Sequence, residues 1–171
     1  TSARLDVLFG DLKSWLPELL AKVVEKQAQR SFVPPQGPFP TATQRELGLE
    51  AMKMLGFDFN GGRLDVSAHP FCGGVPEDVR ITTRYDEDEL LSALFGVIHE
   101  TGHARYEQNL PRAWAGQPVA LARSTAIHES QSLFFEMQLG RSDAFLKHLL
   151  PAVHARFGSQ AAFSEENFIA W

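Results

Sequence analysis

The chain has 171 residues, 44 % of them hydrophobic and 22 % charged, with a net charge of -5, which is the composition of a globular protein long enough to bury a sizeable core. Its Lys and Arg are scattered and form no basic stripe, which argues against nucleic acid and anionic membranes as partners. No apolar run approaches the length of a membrane span or a signal h-region, and the single Cys72 cannot close an internal disulfide, so a reducing, cytoplasmic setting is expected.

Ser2 is placed to cap a helix over residues 2–30, with leucines such as Leu5, Leu8, Leu12, Leu16 and Leu19 at helical spacing and Pro17 as a kink. That helix is expected to pack. The stretch "SFVPPQGPFP" is a loop, after which Thr43 and Glu46 have the spacing of a capping box for a helix ending near Leu55, with Gly56 as its C-cap. The period then changes: "RLDVSA" and "DVRITTRY" read as short strands around a Gly-rich loop, "HPFCGG", paired as a small antiparallel ribbon.

From Asp86 the pattern is helical again to about Asn109, with Asp86 to Glu89 as an acidic first turn and Pro111 as the stop. "PRAWAGQP" is a connection. A helix over 124–139 ends at Gly140, and another over 143–157 bends near Pro151, with His148 and His154 on its surface. The chain starts without Met and closes on "SEENFIAW", where Ser164 caps a helix of two turns that ends on Phe168, Ile169 and Trp171. A segment of a longer protein is therefore expected, its residues 1–40 a helix and Pro-rich loop and 41–171 its core.

Within "VIHETGHARYEQ", His99 and His103 are four residues apart, so on a helix they differ by about 40° in direction and present both rings to one point. They border the apolar stripe Leu91, Leu94, Phe95 and Ile98. Glu100 is turned by about 100°, a position suited to a general base beside a bound water rather than to a metal ligand. Gly102 leaves room beside the site for a substrate backbone. A third ligand is available in Glu129, which falls on the stripe Ala122, Ala126, Glu129, Leu133 and Met137; a carboxylate on an apolar face is costly unless it is paired or metal-bound. Two His and one Glu with a fourth position open is the composition of a catalytic zinc site.

Four motifs now stand in order: "HPF" at 69–71, "DVRITTRY" at 78–85, "HETGH" at 99–103 and "HES" at 128–130. Together they resemble the M32 family of metallocarboxypeptidases, the carboxypeptidase Taq type. The resemblance implies a mainly α, zincin-type fold with a small ribbon beside the HExxH helix, zinc or cobalt as the metal, and homodimers that remove single residues from peptides with a free C-terminus. It makes His99, His103 and Glu129 the ligands and Glu100 the catalytic acid and base. Two further motifs of the family, IRxxAD and GxxQDxHW, are absent up to Trp171. The first supplies the arginine for the substrate's terminal carboxylate, so this segment by itself is expected to be inactive.

The alternatives are a related zinc oligopeptidase or dipeptidase, or a metal-binding helical fragment without activity. Asp78, Arg80 and Thr82 alternate onto one polar strand face with Arg84; that face is either a solvated ion pair or a contact to substrate or ligands. His69 either orients a ligand or packs its loop, and His128 has a substrate or ligand-supporting role. Cys72, where the resemblance leads one to expect a small hydroxyl residue, is read as buried and not as a ligand.

Overall fold

The computed structural model describes residues 1–170, which divide into two units at Val33 and Pro34. The first holds helix α1 (Ser2–Ala28), which runs through Pro17 and buries none of its residues. Of the leucines expected to pack, Leu5, Leu8, Leu16 and Leu19 are exposed and Leu12 is half-buried. No helix among the described residues is long and apolar enough to cross a membrane.

The second unit contains α2 (Thr41–Met54), β1 (Gly62–Val66), β2 (Phe71–Val75), β3 (Asp78–Thr83) and α3 (Leu91–Gln108). They are followed by α4 (Thr125–Leu133), which continues as a π-helical stretch (Phe134–Gly140), then α5 (Asp143–Phe157) and α6 (Glu165–Ile169). The Thr43 and Glu46 capping box does not form. Helix α2 starts three residues earlier, with Pro40 in place of Thr43 as its N-cap, and its Thr41 N–H donates to Glu87 Oε1 at 3.2 Å. Likewise α3 starts at Leu91 instead of Asp86: the Leu91 and Ser92 N–H groups donate to the Glu89 carboxylate at 3.0 and 2.7 Å. The acidic run thus precedes α3 and caps two helices, because each N-terminus exposes unpaired N–H donors and a partial positive charge.

The expected two-stranded antiparallel ribbon is a three-stranded mixed sheet in the order β1-β3-β2. β1 runs parallel to β3, with Leu64 opposite Ile81, and β2 runs antiparallel to it, with Cys72 opposite Ile81. The stretch read as a loop, "HPFCGG", supplies most of the edge strand β2. A ladder is made by backbone groups, so glycines do not prevent it, and Cys72 joins Leu64, Val79 and Ile81 in packing against Val97 and Ala104 of α3.

On its other side α3 buries Leu94, Phe95 and Ile98 against Leu47 and Ala51 of α2 and Leu149 and Val153 of α5. Full burial of each large apolar side chain contributes about 1.5–3 kcal/mol, so α3 is gripped from both faces and its polar edge is held still. Ser164 caps α6 as expected, accepting from the Asn167 N–H at 3.3 Å. Phe168 is buried and Ile169 packs on the same core, while Trp171 lies outside the described residues. His148 is exposed, but His154 is half-buried with its ring edge-on to Phe163.

Candidate metal centre

His99 and His103 project from the polar edge of α3 with ring centroids 5.1 Å apart. Glu129 reaches them from α4: its carboxylate oxygens lie 3.6 Å from His99 Nε2 and 3.4 Å from His103 Nε2. One ligand atom from each residue falls within 4.8 Å of the others, so the three could hold a metal ion. The spacing fits the chemistry, because ligands at about 2.0–2.1 Å in a tetrahedral set are about 3.4 Å apart. Glu129 is not the buried carboxylate that its apolar stripe suggests, however. The Glu129 side chain is 44 % exposed, and Leu133 and Met137 of its stripe are exposed too. The segment packs instead through Ser132, Phe135 and Leu139.

Gly102 explains how α4 comes so near. A Cβ there would sit 2.6 Å from Ser132 Cα and 2.8 Å from the Gln131 carbonyl oxygen, so the space expected for a substrate backbone is filled by the helix that carries Glu129.

Both imidazoles are fixed from behind. His99 Nδ1 lies 2.9 Å from Glu136 Oε2, on the π-helical stretch. His103 Nδ1 lies 2.7 Å from His128 Nδ1, and His128 Nε2 lies 2.7 Å from Glu107 Oε1. A carboxylate can only accept, so Glu107 takes the Nε2–H of His128, whose Nδ1 is then free to accept the Nδ1–H of His103. Each ligand ring thereby keeps its Nε2 lone pair for a metal. Burial first, and the neighbouring imidazoles of His128 and His99 next, hold His103 below the usual histidine range, which favours the neutral form that a metal needs.

Glu100 is buried on α3 and borders the same cavity of about 610 Å³ as His99, His103 and Glu129. Burial raises its carboxyl above the usual glutamate range; His99 opposes this and Glu129 adds to it. Pro70, Phe71 and Cys72 form the opposite wall. Cys72 is half-buried, and burial with the charges of Glu100 and Glu107 pushes its thiol up to about 12.

The strand residues are placed differently from one another. Asp78 and Arg80 form a fork-like ion pair, Nη2 to Oδ2 at 2.6 Å, each about half exposed, and neither lines that cavity. Thr82 is buried. Its hydroxyl accepts from Ser67 Oγ at 2.6 Å and from the Phe71 N–H at 3.1 Å, so it fastens the turn from which the cavity wall rises. The side chain of His69 is exposed, and its carbonyl is what that turn engages.

Glu107 and Glu136 escaped the sequence reading, although Glu107 follows His103 by one turn and Glu136 follows Glu129 by seven residues. Both spacings put a carboxylate on the ligand's side of its helix, and that was the available signal.

The carboxypeptidase Taq (M32) metallopeptidase family matches residues 1–171. The chain is 45 % identical over 144 residues to Carboxypeptidase 1 of Bacillus subtilis (strain 168), covering 82 % of this chain and 28 % of that protein. It is 41 % identical over 162 residues to Thermostable carboxypeptidase 1 of Thermus thermophilus, covering 94 % and 32 %. Among solved structures, Trypanosoma cruzi metallocarboxypeptidase 1 is 55 % identical with a TM-score of 0.94 over 99 % of this chain and 34 % of its own. The M32 carboxypeptidase of Deinococcus radiodurans R1 is 34 % identical with a TM-score of 0.90 over 99 % and 34 %. The chain spans about a third of the length of these relatives, and the mainly helical zincin-type core with its small sheet is theirs as well. The chain belongs to the carboxypeptidase Taq (M32) metallopeptidase family.

Proposed function

We propose that the full-length protein is a zinc-dependent carboxypeptidase, with cobalt able to replace zinc, and that this segment carries its metal centre and general base. The observation that carries the reading is the convergence of His99, His103 and Glu129 within 4.8 Å on a cavity that Glu100 also lines. A divalent ion held there supplies Lewis acidity, polarising the scissile carbonyl and acidifying water.

The chain's own groups do the rest. The Nδ1 partners of His99 and His103 keep both Nε2 atoms aimed at one point. Glu100 has no hydrogen-bond partner of its own among the described residues and is held above the usual range by burial. It accepts the proton of the attacking water as the C–O bond forms, then returns it to the amine as the C–N bond breaks. The raised carboxyl suits both halves of that exchange, since a base that must also act as an acid works best near the working pH. Cys72 and Phe71 wall the cavity opposite, where substrate side chains would lie, and Thr82 positions that wall from beneath. Its substrates, in this reading, are peptides with a free C-terminus.

The test compares one peptide with a free and an amidated C-terminus, using the full-length protein. Release of single terminal residues from the free form alone, abolished by chelator and by Glu100→Gln, is expected. Equal cleavage of both forms, or cleavage at internal bonds, would replace this reading with an oligopeptidase. No cleavage by metal-loaded protein would leave a binding fragment.

A further inference from the structure

The ring of His99 is held by Glu136, and Glu136 is itself held from the far side. Its Oε2 faces His99 Nδ1 at 2.9 Å, while its Oε1 takes Arg141 Nη2 at 3.2 Å, so the two carboxylate oxygens are divided between ligand and arginine. The guanidinium of Arg141 lies 4.1 Å from the centroid of the Phe95 ring. Phe95 is buried and sits one turn before His99 on α3. Arg141 therefore joins the element that carries Glu136 to the helix that carries His99.

We propose that Arg141 is a positioning residue of the metal centre, clamping Glu136 so that its carboxylate fixes the ring of His99. The inference rests on the reading that His99, His103 and Glu129 hold a divalent ion.

The unusual helix geometry supports it. In an α-helix, residues five apart diverge by about 140°, which would turn Arg141 away from Glu136. The stretch Phe134–Gly140 is π-helical and closes on Arg141; its wider turns, with hydrogen bonds spanning five residues, bring Arg141 back toward the side of Glu136. Gly140 completes the approach: a Cβ there would lie 2.9 Å from Ile98 Cγ2, so the end of the stretch presses on α3 beside His99.

Arginine is specifically suited to this place. Its flat guanidinium stacks on Phe95 while its N–H groups reach the carboxylate, and a lysine ammonium keeps the charge but cannot do both. The ion pair itself, with Arg141 37 % exposed, contributes little stability. Its effect is geometric. Glu136, His99, Ser92, Phe95 and Arg141 border a cavity of about 330 Å³, into which an unclamped Glu136 carboxylate can swing away from His99.

The test measures cobalt(II) affinity by chelator competition, with the visible absorption of the bound ion, in full-length protein and the variants Glu136→Gln, Arg141→Ala, Arg141→Lys and the Glu136→Gln/Arg141→Ala double. Loss of Glu136 should weaken binding about 10- to 100-fold, and Arg141→Ala about 3- to 10-fold through faster release, with Arg141→Lys in between. On the Glu136→Gln background Arg141→Ala should add nothing, because it acts through that carboxylate. Wild-type affinity in Arg141→Ala, or losses that multiply in the double variant, would overturn the proposal. Should Arg141→Ala fail to fold, Arg141→Lys decides: reduced affinity with an altered spectrum supports the clamp, and unchanged affinity removes it. Wild-type protein that binds no cobalt would overturn the metal reading itself, and the clamp with it.

Discussion

Replacing Gly102 by Ala tests how Glu129 reaches His99 and His103. On an isolated helix this change stabilises by about 1 kcal/mol, because Ala is the better helix former. Here the added Cβ would stand 2.6 Å from Ser132 Cα, 2.8 Å from the Gln131 carbonyl oxygen and 3.0 Å from Phe135 Cβ, where ordinary contact starts at 3.4 Å. Two of these three atoms belong to backbone, so α4 must retreat by about 0.8 Å to restore contact. Overpacking of this kind costs about 1–3 kcal/mol, which at least offsets the helix preference and leaves a net loss of about 0–2 kcal/mol. The larger effect falls on the metal. Glu129 lies one turn before Ser132, and ligand distances tolerate only about 0.2 Å. A retreat of about 0.8 Å should therefore weaken binding by at least the roughly 10- to 100-fold of a disturbed outer partner. Chelator competition with zinc or cobalt, alongside thermal unfolding of the metal-free protein, reads both effects. A Gly102→Ala protein that is more stable than wild type and binds metal within about threefold of it would show that α4 is not held by this contact, and the account of Glu129 would fail with it.

Glu100→Gln should keep the metal and the fold and lose roughly 10² to 10⁴ in turnover, since only the proton acceptor is removed; near-normal turnover would take Glu100 out of that role. His128→Ala should lower metal affinity about 10- to 100-fold by freeing the His103 ring, whereas Asp78→Ala, which breaks only an exposed ion pair, should leave affinity unchanged; equal losses from both would mean that His128 does not orient His103. Cys72, with its thiol near 12, is almost wholly protonated at pH 8, where about a quarter of an unperturbed thiol is thiolate. Ellman's reagent should therefore react with Cys72 at least 100-fold more slowly in native than in unfolded protein, and the native rate should rise about tenfold per pH unit; a native rate near the unfolded one would contradict the burial of Cys72.

The convergence of His99, His103 and Glu129 could be read from the sequence because most of its spacing is local. The ring directions of His99 and His103 follow from helix geometry alone, and so does the offset of Glu100. Glu129 was found by residue type, but for a reason the structure does not support: its face is open, and it is brought to the histidines by the missing side chain of Gly102. The sheet was misread where tertiary packing outweighs local preference, since "HPFCGG" has few strand formers and becomes β2 by pairing with β3. The caps were misplaced for a similar reason. Glu87 and Glu89 serve helix starts that only the fold brings to them. The supports of the ligands, Glu107, Glu136 and Arg141, depend on contacts between elements and on a π-helical stretch that hydrophobic periodicity does not reveal.

His99, His103 and Glu129 are expected to bind one catalytic divalent ion together. Elemental analysis of full-length protein dialysed against limiting zinc, wild type beside Glu129→Ala, tests it most directly. The wild type should hold about one zinc per chain, and the variant should lose it with the fold intact. Wild-type protein without bound metal, or a Glu129→Ala protein that keeps its zinc, would contradict it.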